Sequence, residues 1–596
     1  MRRLFMLLVL LLLALVMQPP NALAQDPVPT LVPPTLVPQP ETGSEELLPS
    51  ESTVARIQRN GVVRVGLLYN EPPFGELNVR GSHTGFDADL ARSMAEVWGV
   101  EVEFVQVTRQ LENTLHMLRT GEVDMLMAAL IHRRELDPFM DFSQTYVNSQ
   151  KSMMVRADDP VASLAEMANR RIGVVIASPA QNALSLWMAR TAVPLSVQTY
   201  LTLDRAYVAL AQGEVDGVVD SQHRLQQVSA QRPELTRLLN EPVEREPYAI
   251  GLLRQDASMR NLVNRTLQYL MVNGRLDEIQ QVYFPGTSAN AVQVWDNLGE
   301  DAPTPAQFPV EFLLPAQRIV PRLQTNPVVR VAGLIGVTAD GQSTESERRL
   351  DTFHRALLSE MAARWGASVE FLPGNTTTNA LELVASGQAD VAVGVALDWV
   401  WADRVDFTGL YLLHGERLLV RANDEITSFI DLRGGGTVIT PANEPTAAPR
   451  AVEIAELPNV NARIDIEQRP EVDLAFSLLV DEELEADAVF GDSLKLIPHA
   501  QAEPELLRLV DFEDGTPRWY SRSNLNPDDF APRPMVLAVP ANDIDFRLLV
   551  EYTLQEMARD GSLQRLLQPV MMPDEIPQFE IWPGPSSYLN FTLTAR

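Results

Sequence analysis

The chain carries an internal repeat, and this repeat limits its fold more than any other feature of the sequence. The matched stretches, first copy and then second, are SMAEVWGVEVEF (93–104) with EMAARWGASVEF (360–371), NTLHMLRTGEVD (113–124) with NALELVASGQAD (379–390), and TLQYLMVNGRLDEI (266–279) with TLQEMARDGSLQRL (553–566). Three matches in the same order and at similar spacing predict two homologous domains in tandem.

The length agrees with several folded units, because single hydrophobic cores stop growing beyond about 250 to 300 residues and this chain has 596. The repeat and the composition shifts together predict the domain boundaries. We expect a signal peptide at 1–24, a proline-rich linker at 25–53, a first domain at 54–286, a linker at 287–325, a divergent second domain at 326–570 and a tail at 571–596.

The amino terminus is typical of a secretory signal peptide. Two arginines precede an apolar run from Leu4 to Val16, and small residues follow at Ala22 and Ala24. We therefore expect secretion across the cytoplasmic membrane to a periplasmic or cell-surface location, with an uncleaved anchor as the alternative. The sequence has no cysteine, so stability must come from packed cores rather than disulfides.

The charge of the chain excludes some partners. Its 79 acidic and 48 basic residues give a formal net charge of -31, which repels nucleic acid. Its seven histidines are scattered along the sequence and form no zinc-binding pair. No nucleotide-binding loop is present, so we expect no metal and no cofactor.

Within each copy, short β-branched runs alternate with amphipathic helices. Val62 to Leu68 has the pattern of a strand, the apolar face of the next segment predicts a helix that ends at Gly99, and Val100 to Val107 is again a strand. This alternation predicts α/β lobes with open, mainly parallel sheets flanked by helices. Ligands of such sheets bind beyond the carboxyl ends of the strands.

Several further motifs occur in order along the first copy: GVVRVG (61–66), EPPFG (71–75), GFDADLA (85–91), LRTGEVDM (118–125), MDFSQTYV (140–147), LAQGEVDGVVD (210–220) and NGRLDEI (273–279). With them the chain resembles the polar-amino-acid-type (family 3) periplasmic solute-binding proteins of ATP-driven importers. The resemblance implies two tandem bilobed Venus-flytrap domains. It further implies hinge closure on a small polar solute, such as an amino acid or a related amine or carboxylate, for an ABC permease.

For the first cleft, the resemblance implies an aspartate for the ligand ammonium, and Asp220 matches that position. It also implies an arginine for the ligand carboxylate; Leu136 aligns without gaps, and Arg134 just upstream is the candidate. Tyr69 and Glu71 stand where the family places its aromatic wall, and Ser178 opens a second-lobe helix. Helix caps, a surface salt bridge and core packing are the alternative roles of these residues.

In the second copy, Arg404 lies before VDFT in the family's arginine context, and Asp492 closes EADAVFGD. Trp399 near this region is a candidate stacking wall, with buried packing as the alternative. Three functions remain open at this point: a transport-coupled binder, a sensory or scaffold module with one degenerate cleft, and a dehydratase-like enzyme in which Glu71 is the acid. We expect a binder without catalysis.

Overall fold

The computed structural model describes both halves of the chain and the segments that join them. The described residues are 51–285, 291–315, 317–335, 345–373, 376–442, 444–461, 463–470, 476, 479–480, 486–526 and 529–584. The expected signal peptide, most of the first linker and the end of the tail lie outside this set. None of the helices in these ranges has the length and apolarity that a membrane span requires.

The first half folds into two α/β lobes. Its strands are β1 (Val62–Leu67), β2 (Asn70–Glu71), β3 (Gly75–Leu77), β4 (His83–Thr84), β5 (Glu101–Gln106), β6 (Met125–Leu126), β7 (Asp141–Phe142), β8 (Val147–Arg156), β9 (Arg171–Val175), β10 (Ser196–Tyr200), β11 (Gly217–Ser221), β12 (Thr236–Leu238), β13 (Glu244–Tyr248) and β14 (Gly251–Leu252). Its helices are Thr53–Asn60, Phe86–Trp98, Leu111–Thr120, Pro179–Thr191, Leu203–Ala211, Gln222–Ser229, Ala257–Val272 and Arg275–Tyr283.

The second half repeats this arrangement. Its strands are β15 (Val328–Ala332), β16 (Ser368–Phe371), β17 (Val391–Val395), β18 (Val405–His414), β19 (Glu416–Arg421), β20 (Gly434–Pro441), β21 (Arg463–Arg469), β22 (Ala488–Asp492), β23 (Leu507–Leu509) and β24 (Arg533–Pro540). Its described helices are Ile319–Thr325, Glu345–Trp365, Thr377–Ala385, Ala447–Glu456, Ser493–Ala502, Ile544–Arg559 and Ser562–Leu567.

Sheet topology defines the lobes. The first lobe of each half has corresponding strand orders, β5-β1-β6-β14-β7 and β16-β15-β17-β24-β18. The second lobes have the orders β10-β9-β11-β8-β12 and β21-β20-β22-β19-β23, with β13 also on β8. The predicted fold class, two tandem bilobed α/β domains, is confirmed.

Two antiparallel crossings join the lobes of each domain. In the first domain, β8 leaves the first lobe and β13 returns beside it, with Lys151 opposite Glu244. In the second domain, β18 continues into β19, and β24 pairs back along β18. The carboxyl ends of the parallel strands face the cleft that these crossings span, which is where a ligand of such sheets binds.

The same buried hydrogen bond recurs in both domains and explains why tryptophan repeats in the sequence. The Trp98 indole N–H donates to Thr266 Oγ1 at 2.7 Å, and the Trp365 indole N–H donates to Thr553 Oγ1 at 2.8 Å. In each domain the bond joins the helix that precedes β5 or β16 to the long helix near the end of the domain. A buried indole needs such an acceptor, so the repeated residues form one matched tertiary contact.

The segment between the domains packs against both of them. Phe308 belongs to the core of the first domain, and helix Ile319–Thr325 belongs to the core of the second. The Ile319 amide donates to the Asp543 carboxylate at 2.6 Å, just as the Thr53 amide donates to Asp256 at 2.8 Å. In the structure, therefore, the second copy already begins within the segment that composition assigns to a linker.

A buried ionic cluster lies at the interface between the two domains. Arg260 donates to Asp141 at 2.8 Å and also to Asp406 of the other domain. Arg547 donates to Asp141 at 2.7 Å, and its Nε lies 3.9 Å from Asp406. Burial raises the pKa of Asp141, but the Arg547 and Arg260 guanidinium groups outweigh this effect and hold it well below its usual range.

Each domain also extends a tryptophan onto the other domain. Trp295, from the end of the first domain, stacks on Trp399 of the second at a centroid distance of 4.5 Å. Trp582, from the end of the second, stacks on His132 of the first at 3.8 Å. The Trp295 and Trp582 amides donate to Gln268 and Gln555, respectively, at 3.0 and 3.1 Å. The exchange is reciprocal, as expected for a pseudo-twofold interface.

The ionic cluster generates a stability prediction. Asp406→Ala leaves two buried arginines with one carboxylate, so we expect the free energy of unfolding to fall by about 3–5 kcal/mol. Urea unfolding of the full chain measures this loss.

The matched control is Glu382→Ala in the same domain, because Glu382 forms an exposed ion pair with Arg404. We expect little change for this variant. Equal loss of stability in the two variants would contradict the role of the buried cluster.

Candidate functional site

The candidate site of the first domain lies between its lobes, where the loop after β1, the strands β8 and β13, and the end of β11 meet. Strand pairing brings the second-lobe residues together, since Asp220 lies opposite Ser152 and Ser221 lies opposite Lys151. The loop after β1 contributes Glu71 from the first lobe. Burial is the main cause that raises the pKa of Asp220, and the Glu71 carboxylate adds a smaller rise.

Asp220 is buried with one carboxylate oxygen unpaired. Its Oδ1 accepts hydrogen bonds from the Ser221 amide at 2.8 Å and from Arg224 at 3.3 Å. Its Oδ2 is buried and has no hydrogen-bond partner. Burial raises the pKa of this carboxyl group. A buried acceptor without a donor costs about 1–3 kcal/mol, so this atom needs a donor from outside the protein.

Beside Asp220 lies a buried lysine with two glutamates. Lys151 Nζ donates to Glu246 at 2.7 Å and to Glu244 at 2.9 Å. Ser221 Oγ donates to the same Glu246 oxygen at 2.9 Å, while the other oxygen, Oε2, is buried and unpartnered. The cluster thus contains more carboxylate acceptors than donors, and it favours a ligand that donates hydrogen bonds and carries positive charge.

The first-lobe candidates lie at different depths. Glu71 is partly buried and forms an ion pair with the exposed Arg109. The Tyr69 hydroxyl donates to the Phe104 carbonyl at 3.3 Å, and its ring lies against His83. Glu71 therefore already has a cationic partner in its own lobe, and the Tyr69 hydroxyl likewise bonds to a strand of that lobe.

An aromatic contact joins the two lobes across the cleft. Phe74, from the loop after β1, lies 5.8 Å from the ring of His223 in the second lobe and 4.4 Å from Tyr248 on β13. Burial lowers the pKa of His223, and with the smaller contributions of Arg224 and Lys151 the pKa falls to about 4. At neutral pH the imidazole is uncharged and its Nδ1 is buried without a partner.

Ser178 serves as a helix cap in the structure. It precedes helix Pro179–Thr191, and its Oγ accepts from the Gln181 amide at 3.2 Å. The same Oγ donates to the Val175 carbonyl at 2.7 Å. A role of Ser178 in ligand binding remains a prediction. In the described part of the chain, no group of three or more His, Asp or Glu side chains is placed to hold a metal ion.

The structure places Arg134 and Trp399 in the interface between the domains, away from the clefts that the sequence suggested. Arg134 is fully buried and donates to Glu556 at 2.5 Å and to Gln555 at 2.8 Å. The Trp399 indole donates to Gln268 of the first domain at 2.8 Å. Both side chains are already paired with partners from the opposite domain.

The second cleft differs from the first by one residue in register. Asp216 and Asp487 hold the starts of their strands in the same way, accepting backbone bonds at 2.9 and 2.8 Å. Counting from them, the counterpart of Asp220 is Gly491, and Asp492 corresponds to the serine that follows Asp220. A Cβ at Gly491 would lie 2.9 Å from the Glu444 carboxylate, so Glu444 fills the space that an aspartate side chain would occupy.

The acidic groups of the second cleft are paired within the protein. Asp492 accepts from His414 Nδ1 at 2.8 Å, and Glu444 pairs with Lys495 at 3.1 Å. Burial lowers the pKa of His414, but Asp492 raises it by a larger amount, so the pKa lies above its ordinary value. Arg404 is half exposed and forms its ion pair with Glu382 on helix Thr377–Ala385.

Sequence reasoning missed Lys151, Glu246 and His223. A signal for Lys151 was available, because a lone lysine at the start of the apolar run SMMV is rarely buried unless it is paired. Glu246 could then have been proposed as its partner, as β13 pairs with β8. His223 had no such signal, since its position depends on how the two lobes close.

Comparisons with known proteins agree with the two-domain fold. The family model for bacterial extracellular solute-binding proteins, family 3, matches residues 63–286 and 341–571. The glutamine-binding protein of Geobacillus stearothermophilus is 27% identical over 216 residues, which are 36% of this chain and 80% of that protein. The L-arginine-binding protein of Pseudomonas aeruginosa is 23% identical over 236 residues, covering 37% and 87% of the two chains.

Among solved structures, an ancestral arginine-binding protein bound to arginine is 26% identical to this chain, with a TM-score of 0.30. The match covers 38% of this chain and 98% of that one. The two sequence relatives thus match over 216 and 236 residues, a stretch about as long as one of the two domains.

The geometry of Asp220 predicts that this residue destabilises the unliganded protein. Its raised pKa means that the native state keeps the proton more tightly than the unfolded state, so stability is lost as pH rises past its ordinary value. We expect Asp220→Asn to raise the free energy of unfolding at pH 7 by about 1–3 kcal/mol, with the gain absent at pH 3. Thermal unfolding at both pH values measures this difference.

Asp216→Asn is the matched control, because Arg171 bonds to Asp216 and lowers its pKa. This variant should lose stability at pH 7. The same direction of change in both variants would refute the assignment.

Proposed function

We propose, since the chain belongs to the bacterial extracellular solute-binding proteins of family 3, that its first domain binds an amino acid or a related amine between its lobes. Binding takes place outside the cytoplasm, after export by the amino-terminal segment, and delivers the solute to an ABC-type permease. The curated relatives include the ABC transporter glutamine-binding protein of Bacillus subtilis, which supports the transport part of this proposal.

One observation carries the proposal: the buried, unpartnered Oδ2 of Asp220. An ammonium group has three N–H donors and a positive charge, so it can satisfy Asp220 and the free oxygen of Glu246 together. Glu71 approaches the same region from the first lobe. The ligand amine therefore supplies the donors that the free oxygens of Asp220 and Glu246 lack.

Hinge closure gives this site its selectivity. Asp220 belongs to the second lobe and Glu71 to the first, and only the paired strands β8 and β13 with their continuations connect the lobes. Opening the cleft separates these carboxylates and breaks the contact between Phe74 and His223. A ligand that contacts both lobes stabilises the closed form by the difference between its affinities for the two forms.

The second domain supports a different function, that of a scaffold. Its cleft acids Asp492 and Glu444 already have His414 and Lys495 as partners. An incoming ammonium would have to displace these cations. Binding there would therefore lack the stabilisation that comes from satisfying a free carboxylate oxygen, as at Asp220. We propose that the second domain holds the first domain in position and does not bind the same solute.

Ligand-induced stabilisation tests both parts. We expect amino acids carrying a side-chain amine or amide to raise the melting temperature of the full chain. A hundredfold excess over Kd corresponds to about 2.7 kcal/mol of stabilisation. The shift should disappear in Asp220→Asn and persist in Asp492→Asn. Differential scanning fluorimetry with a panel of amino acids, amines and carboxylates measures it.

Two results would count against the proposal. A shift that survives Asp220→Asn but is lost in Asp492→Asn would move the binding site to the second cleft. If mass spectrometry detects chemical conversion of a bound compound, the protein is an enzyme and not only a binding protein.

A further inference from the structure

A cavity of about 500 Å³ lies between the two domains, and it shares no lining residue with the clefts described above. This volume is in the range of small-molecule sites in proteins. Both domains contribute to its walls, and five aromatic side chains line it: Phe142, Trp295, Phe407, Phe579 and Trp582. The cavity is thus aromatic along its walls and polar where the ionic cluster reaches it.

Two of the cavity's arginines are already neutralised. Arg260 and Arg547 both bond to Asp141, and Asp406 is the second carboxylate of the cluster. Two arginines and two aspartates have no net charge. The remaining lining arginine, Arg245, is exposed and donates to the Gln578 side chain at 3.5 Å.

Two further carboxylates line the cavity outside this cluster. Glu551 is 7% exposed, and its Oε1 accepts from the Gly409 amide at 2.6 Å. Glu580 lies at the more exposed side, where it accepts from Thr145 Oγ1 at 3.0 Å and from the Trp582 indole at 2.7 Å. Their hydrogen-bond donors are neutral, so neither carboxyl group is hydrogen-bonded to a cationic side chain.

The pseudo-twofold symmetry shows that the fold does not require these charges. Asn264 is the counterpart of Glu551, because its Oδ1 accepts from the Gln144 amide at 2.8 Å just as Glu551 accepts from Gly409. Gln293 is the counterpart of Glu580, since each stands two residues before its interface tryptophan. At these two positions the first domain has neutral amide side chains and the second domain has carboxylates. The matched hydrogen bond to a backbone amide therefore does not need a charged acceptor.

We propose that this interdomain cavity binds a small organic cation with one or two ammonium groups, held by Glu551 and Glu580 between the aromatic walls. Ammonium groups donate to carboxylates and are attracted to the faces of aromatic rings, most strongly tryptophan. The site is separate from the cleft of the first domain, and it does not depend on the function proposed for that cleft.

The charge of Glu551 makes this binding depend on pH. Burial raises the pKa of Glu551. The Gly409 amide, Arg547 and His132 offset part of this rise and Glu580 adds to it, so that the pKa lies at about 7. A bound cation favours the ionised form, so affinity should rise with pH. Below the pKa of Glu551, the association constant should increase by up to about tenfold per pH unit.

Calorimetry on the full chain tests the proposal, with Asp220→Asn present to silence the cleft. Putrescine is the probe, and the uncharged 1,4-butanediol and the dianion succinate are its controls. We expect one saturable site for putrescine and none for the other two compounds. Glu551→Gln and Glu580→Gln should each weaken putrescine binding at least tenfold, and Glu551→Gln should also abolish the rise between pH 6 and pH 8.

Asp545→Asn is the matched control on the same helix, because Asp545 pairs with Arg254 outside the cavity; its affinity should be unchanged. Three results would overturn the proposal: no saturable putrescine binding, equal affinity in Glu551→Gln, or binding to the wild type that Asp220→Asn removes. The last result would assign the amine to the cleft. Circular dichroism of each variant confirms that it is folded.

Discussion

The ionic cluster of Asp141, Arg260, Asp406 and Arg547 is the contact on which the arrangement of the two domains depends. Each domain supplies one aspartate and one arginine. Arg260 pairs with Asp141 inside the first domain and also bridges to Asp406, and Arg547 bridges back to Asp141. Separating the domains would break the bonds from Arg260 to Asp406 and from Arg547 to Asp141. The first lobes therefore form one central body.

The first and second lobes are held in different ways. The second lobes remain connected through paired crossing strands, whereas the first lobes are held to each other by buried charges and reciprocal tryptophans. Under the proposed function, closure of the first cleft would move its second lobe relative to this central body. The first cleft has unpaired acceptors at Asp220 and Glu246, which lower stability without ligand and increase what a ligand gains. Binding sites commonly accept such a loss of stability.

Much of the fold could be predicted from the sequence, because each repeated residue has a local or intradomain role. Trp98 and Trp365 recur because they donate to matched threonines, and Asp220 lies near the end of a recognisable strand. Arg134 and Trp399 were proposed as cleft residues from the sequence of one copy. Their partners in the structure belong to the other domain, and the sequence of a single copy cannot show such contacts. The one-residue offset at Asp492 was hidden for a related reason: Gly491 is explained only by Glu444, which lies far away in the sequence.

The reciprocal tryptophans couple the order of synthesis to the order of folding. His132 and its neighbours belong to the first domain, but the ring that covers them is Trp582, which is translated long after that domain's own core is complete. Domains generally fold in the order in which they emerge. Until Trp582 is synthesised, the surface of the first domain around His132 would therefore stay exposed to solvent. This part of the domain interface can form only when the last part of the chain has been translated.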